Sequence, residues 1–103
     1  MSEYTYDIVL QTQLGEKIGK LTLSFEENVI RGICSILGHS NPCTGSIDQQ
    51  GKCKLYGQIR TFMSLISFSG TGSADSKGVN FSLSDGKNRF YMIGTVCKES
   101  ELS

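Results

Sequence analysis

Apolar and polar residues alternate along most of this chain, and the alternation has a period of two. The clearest run is Lys52-Cys53-Lys54-Leu55-Tyr56-Gly57-Gln58-Ile59-Arg60, apolar or Gly at odd positions and polar or amphipathic at even ones. Such a period places successive side chains on opposite faces of a strand. The same reading gives Ile8 and Leu10 in a first strand, Leu21, Leu23 and Phe25 in a second, and Ile30, Cys34 and Ile36 in a third. Cys43 and Ile47 mark a fourth strand, the run above a fifth, and Ile66 and Phe68 a sixth. Val79, Phe81 and Leu83 line a seventh, and Phe90, Met92 and Val96 an eighth. No window sustains a helical period.

The breaks between these runs carry turn chemistry. Asp85-Gly86 is a two-residue hairpin signal, because a type I′ turn needs positive φ at both central residues. Gly15-Glu16, Glu27-Asn28 and Phe62-Met63 sit where other two-residue turns would be centred, and Gln49-Gln50-Gly51 suits a three-residue loop. These centres pair Leu10 with Leu21, Phe25 with Ile30, Ile47 with Cys53, Ile59 with Ile66, and Leu83 with Asn88. Each pairing keeps both apolar sets on one face, whereas a slip of one residue would invert a strand. The sixth and seventh strands fit less cleanly, which predicts a bulge near Gly70-Thr71-Gly72.

Glycine recurs at Gly19, Gly32, Gly45, Gly57 and Gly70, about one strand plus one turn apart, and Gly94 continues the series. From the third strand on these glycines share the apolar phase, as the corners of a small closed barrel require. Closure of eight hairpin-connected strands also removes unpaired edges. The expected fold is therefore all-β, an eight-stranded antiparallel up-and-down barrel. A flattened sandwich of two four-stranded sheets is the rival. Residues 1–103 form one domain, with 98–103 a frayed polar tail. The segments Thr44-Gly45-Ser46-Ile47-Asp48 and Thr71-Gly72-Ser73-Ala74-Asp75 form a hairpin-level repeat, each Asp followed three residues later by Gly.

Succession of hairpins and the run Leu37 to Asp48 (L-G-H-S-N-P-C-T-G-S-I-D) resemble small uncharacterised bacterial lipocalin-like domains of the calycin group. The resemblance spans nearly the whole chain in pattern. It implies the barrel architecture and a tendency to bind small apolar molecules. The chain departs from lipocalins and avidins in having no Trp, so no ligand-binding residue carries over.

Charge narrows the field of partners. Ten basic and ten acidic side chains cancel and are scattered, which leaves no electrostatic footprint for nucleic acid or an anionic membrane. No apolar stretch is long enough for a membrane-spanning helix. Met1-Ser2-Glu3-Tyr4 lacks the basic start and apolar run of a secretory leader. The expected location is cytoplasmic, with four reduced cysteines.

Candidate chemistry is sparse. Cys34, Cys43 and Cys53 fall in the inward phase as small hydrophobes, and Cys97 falls outward. Their spacing fits no zinc motif and only one His is present, so no metal site is expected. Cys34 and Cys43 are the one pair that could face each other across a hairpin. His39, in the loop 37–42, could serve Cys43 as base to nucleophile only if the thiol reached the rim and a third group oriented the imidazole. A surface turn His is the plainer reading. No carboxylate pair, phosphate loop or triad is visible, so no enzyme activity, catalytic residue or cofactor is expected.

The interior phase holds about twenty apolar side chains and no charged one. It therefore encloses either a solid core or a small apolar pocket. Hairpins alternate ends, so loops 14–17, 37–42, 61–64 and 84–88 share one mouth. That mouth carries Leu14, Leu37, His39, Phe62 and Met63, while the other end is polar throughout. An apolar rim at one end has three readings: a plug for the barrel, a portal for a small apolar ligand, or a patch for a protein partner or second copy. Tyr4, Tyr6, Tyr56 and Tyr91 are read as outward and add a slight push toward self-association.

Overall fold

The computed structural model describes residues 2–13, 15–61 and 63–97. Eight strands follow one another: β1 Ser2–Thr12, β2 Gly15–Glu26, β3 Val29–Ile36, β4 His39–Ile47, β5 Cys53–Arg60, β6 Leu65–Ala74, β7 Gly78–Ser84 and β8 Arg89–Val96. Each pairs antiparallel with its chain neighbours, and β8 returns to β1 from Tyr6↔Val96 to Gln11↔Tyr91. The sheet is therefore a closed up-and-down barrel. The two-sheet sandwich is set aside, because no seam separates two sheets.

Three of the expected registers are present: Phe25↔Ile30, Ile47↔Cys53 and Ile59↔Ile66. Two differ, both by an even number of residues, which preserves the buried face. Leu10 faces Lys17 rather than Leu21, because Thr12 already pairs with Gly15 and the strands reverse ahead of the expected centre. Leu83 faces Phe90 rather than Asn88. Asp85-Gly86 opens a four-residue loop, with Asp85 N–H donating to the Asn88 carbonyl at 3.2 Å. The Asp85 carboxylate accepts from the N–H groups of Lys87 (2.9 Å) and Asn88 (2.8 Å), and only Gly86 takes positive φ. An aspartate that caps its own loop in this way does not enter a I′ turn.

The tight turn with two left-handed residues lies elsewhere, at Leu37 (φ 56°) and Gly38 (φ 80°). It shortens the expected loop 37–42 to two residues, and His39 already belongs to β4. Pro42 follows within that strand. It has no N–H to offer, and the β4–β5 ladder ends beside it at Cys43↔Gly57. No bulge interrupts β6 and β7, which pair evenly from Ser69↔Ser84 to Ala74↔Val79. The connection through Asp75-Ser76-Lys77 itself shifts the inward phase from even to odd positions.

Nineteen apolar residues form the interior. Two β1 residues expected outside lie within it. Tyr6 is fully buried and Tyr4 packs against the core, because both share the even phase of Ile8 and Leu10. Tyr6 Oη donates to the Asp75 carbonyl at 2.7 Å, and Tyr4 meets Phe25 edge-on with ring centroids 6.2 Å apart. These rings close the end of the barrel that carries the β2–β3, β4–β5 and β6–β7 turns. Tyr56 and Tyr91 are exposed as expected. At Gly45 and Gly70 the neighbouring strand comes so close that a Cβ would strike the Lys54 and Ser82 carbonyls, which is why the inward phase holds glycine there.

Candidate functional site

The other mouth is open. Its rim is formed by the facing ends of β1 and β2 at Thr12 and Gly15, the Leu37-Gly38 turn, Thr61 with Met63 and Ser64, and the loop 85–88. Pairing of β6 with β7 begins only at Ser69, so Leu65 to Phe68 run past the end of β7. A depression of about 370 Å³ opens where β6 diverges from the β7–β8 loop. Leu10, Ile59, Ile66 and Phe90 supply apolar walls, and Leu37 leans in from its turn. Thr12, Thr61, Asp85 and Asn88 contribute a polar margin. The volume lies at the small end of the range for ligand pockets, about 300–1,000 Å³.

Two cations stand at this margin, Lys17 and Arg89. Lys17 lies in β2 opposite Leu10, in phase with buried Leu21 and Leu23, and is half-buried. Sequence reading expected no charge in the inward phase; a turn centre misplaced toward Gly15-Glu16 hid Lys17. It makes no ion pair among the described residues, where the one salt bridge is Lys20–Asp7 on the outer wall. Arg89 also borders the depression, but its guanidinium donates to Ser82 Oγ at 2.8 Å. Asp85 is held ionised, its pKa lowered by the backbone N–H groups of Asn88 and Lys87.

Behind the pocket wall, Asn41 braces the barrel where the β4–β5 ladder stops. It is the one buried polar side chain among the described residues, 5% exposed. Its Nδ2 donates to the carbonyls of Cys34 (3.0 Å) and His39 (3.2 Å), and its Oδ1 accepts from Arg60 N–H at 2.9 Å. The expected loop 37–42 concealed this role, since a loop Asn carries no inward phase.

The residues singled out from sequence distribute unevenly. Leu37 lines the depression. Met63, 87% exposed, stands on the neighbouring loop, and His39 is exposed at the start of β4. Leu14 and Phe62 lie outside the described residues. Cys43 sits in the core, where burial pushes its thiol up to about 12, with Cys34 nearby adding to the shift. His39 is four residues up the strand from it, a rise of about 13 Å. Cys34 faces Asn41, and Cys43 faces Gly32, so the two thiols are not opposite one another; all four cysteines are free. Among the described residues no three His, Cys, Asp or Glu side chains gather as metal ligands, and no helix is long and apolar enough to cross a membrane.

No protein-family model, no curated protein and no solved structure matches this chain. The closed eight-stranded barrel and the geometry of its open mouth are therefore the basis for any functional reading.

Proposed function

We propose that the chain is a non-catalytic, lipocalin-like binding domain that takes a small, largely apolar molecule at the open mouth of its barrel. The observation that supports this is the depression of about 370 Å³ walled by Leu10, Ile59, Ile66 and Phe90. Apolar walls bordered by a few polar groups suit a ligand whose body leaves water while one end stays hydrated. The compartment that fits is the reducing cytoplasm of a bacterial cell, in keeping with four unpaired cysteines and the small bacterial domains that the sequence pattern resembles.

Titration of the labelled protein with 1-hexanol, followed by amide and methyl chemical shifts, tests the reading. Saturable shifts at Leu10, Ile59, Ile66 and Phe90 are expected. Weak, linear shifts spread over the surface would end it.

A second reading uses the same rim for protein contact. Met63 at 87% exposure and Leu37 at 42% place two large apolar side chains in water at one end, as in a patch that docks on a partner or a second copy. Concentration-dependent sedimentation that Met63→Asp abolishes would favour this reading over the first.

A further inference from the structure

The mouth offers an apolar depression and, at its margin, a cation without a counter-ion. We infer that the ligand class is a small monocarboxylate, an apolar body seated against Ile59, Ile66 and Phe90 with its anionic head at Lys17 Nζ. The inference rests on the reading of the mouth as a binding site and adds the charge of what binds there.

Three observations converge on one negative charge. Lys17 occupies the inward phase of β2, directly across from buried Leu10, and lines the depression. A lysine there, between apolar neighbours, keeps its ammonium at the edge of the pocket while its stem lies along the wall. No acceptor among the described residues engages that ammonium: Lys20, not Lys17, holds the one salt bridge. The other charged groups of the margin are Asp85 and Arg89, whose charges offset one another and leave Lys17 as the net positive charge of the mouth. Asp85 accepts two backbone N–H groups, and the Arg89 guanidinium turns to Ser82 Oγ.

The same arrangement argues against more highly charged ligands. A phosphate monoester would bring nearly two negative charges to a mouth whose Lys17, Arg89 and ionised Asp85 sum to one net positive charge. Like-charge repulsion disfavours it. A neutral apolar molecule would fit the walls but leave the ammonium uncompensated. The small volume limits the body to a short chain or a single ring.

Calorimetric titration of the folded protein with hexanoate and with 1-hexanol, at neutral pH and low salt, tests this directly. The two probes share a chain and differ in charge. Hexanoate is expected to bind about two- to fivefold more tightly, the scale of one partly exposed ion pair. Lys17→Met should erase that preference, Lys17→Arg should keep it, and added salt should weaken hexanoate alone. Equal affinity of the two probes for the wild-type protein would overturn the assignment of a carboxylate and leave the binding mouth standing. Binding of neither probe would overturn the mouth as a binding site, and the carboxylate with it.

Discussion

Asn41 Oδ1 accepts the N–H of Arg60 at 2.9 Å, three residues past Gly57, where the β4–β5 ladder stops. Pro42 ends the β4–β5 pairing at Cys43↔Gly57, and the neighbouring side chain takes over. Through Nδ2 the same amide holds the Cys34 carbonyl of β3. One buried residue thus ties three strands together beside the pocket wall formed by Ile59. Asn41→Ala leaves a buried donor and a buried acceptor without partners, at about 1–3 kcal/mol each. The expected loss is about 3 kcal/mol in urea unfolding, read as a lower midpoint with an unchanged slope. An unchanged midpoint would mean that water replaces the amide at no cost.

The alkaline side of the stability curve follows from the interior. Burial raises Tyr6 to about 12, Cys34 to about 11 and Cys43 to about 12, from ordinary values of 10.0, 9.0 and 9.0. Below about pH 8 these groups are protonated both folded and unfolded, so they confer no pH dependence there. Above it the unfolded chain loses protons that the folded chain keeps, and stability falls with rising pH. Melting temperature is expected to be level to about pH 8 and to drop steadily from there to about pH 11. Tyr6→Phe should make the fall shallower above pH 10, and in the wild-type protein one of the four tyrosines should ionise later than the rest in an absorbance titration.

The acid side follows from the loops. Asp48, Asp75 and Asp85 each accept two backbone N–H groups in their own turn: Gln50 and Lys52, Lys77 and Gly78, Lys87 and Asn88. These bonds lower all three pKa values. The stabilisation is present above the unfolded carboxylate pKa of about 4 and is lost as pH falls through the lower folded values. Melting temperature should therefore decline below about pH 4. Asn at the three positions keeps the acceptor oxygen without the charge, and the triple substitution should flatten that decline. A curve unchanged by it would place the acid sensitivity elsewhere.

These loops also show how far the sequence could be read. The Asp–Gly spacing at 48–51 and 75–78 was visible as a repeat, and the carboxylate cap is its physical content. Asp85-Gly86 has the composition of a I′ turn, yet its Asp caps too, and dipeptide identity alone does not separate the two geometries. Strand number and order are legible because alternation and turn spacing over-determine them, whereas closure rests on the recurrent inward glycines alone and leaves a two-sheet sandwich as rival. Tyr6 was misassigned through its polar handle, although its parity with Ile8 already pointed inward. Lys17 and Asn41 were invisible as site residues for a different reason. Their inward placement depends on the reversal between Thr12 and Gly15 and on the turn at 37–38, and a loop boundary moved by two to four residues changes which polar side chain meets the mouth.

Thiol reactivity separates the four cysteines. Cys34, Cys43 and Cys53 are buried, and burial raises all three thiols. Cys97 is half-buried on the outer wall, 3.6 Å from Lys20 Nζ. A thiol reagent should label one equivalent in the native protein and the remaining three only on unfolding. Cys97→Ser should remove the fast equivalent. Rapid labelling of a second thiol in that variant would show that the barrel opens locally far more often than its ladder suggests.

Glycine at the corners gives the sharpest test of closure itself. At Gly45 the ideal Cβ falls on the Lys54 carbonyl oxygen, and at Gly70 on that of Ser82; in both cases the obstacle is backbone of the adjacent strand. Relief requires the strands to separate, which would lengthen ladder bonds on both sides. At Gly57 the nearest atoms are the Cys43 Cβ and the Phe68 Cζ, each at 2.9 Å. One is the far end of a ring that can rotate away, so the collision there is the softer one. Ala at position 45 or 70 is expected to cost about 3 kcal/mol or more or to prevent folding, at or above the top of the usual range for overpacked cores, and Ala at 57 about 1 kcal/mol, at its low end. Chemical denaturation of the three variants gives the order. Equal, small losses at all three positions would mean that the strands do not approach so closely at the corners, and that the barrel is wider than its register implies.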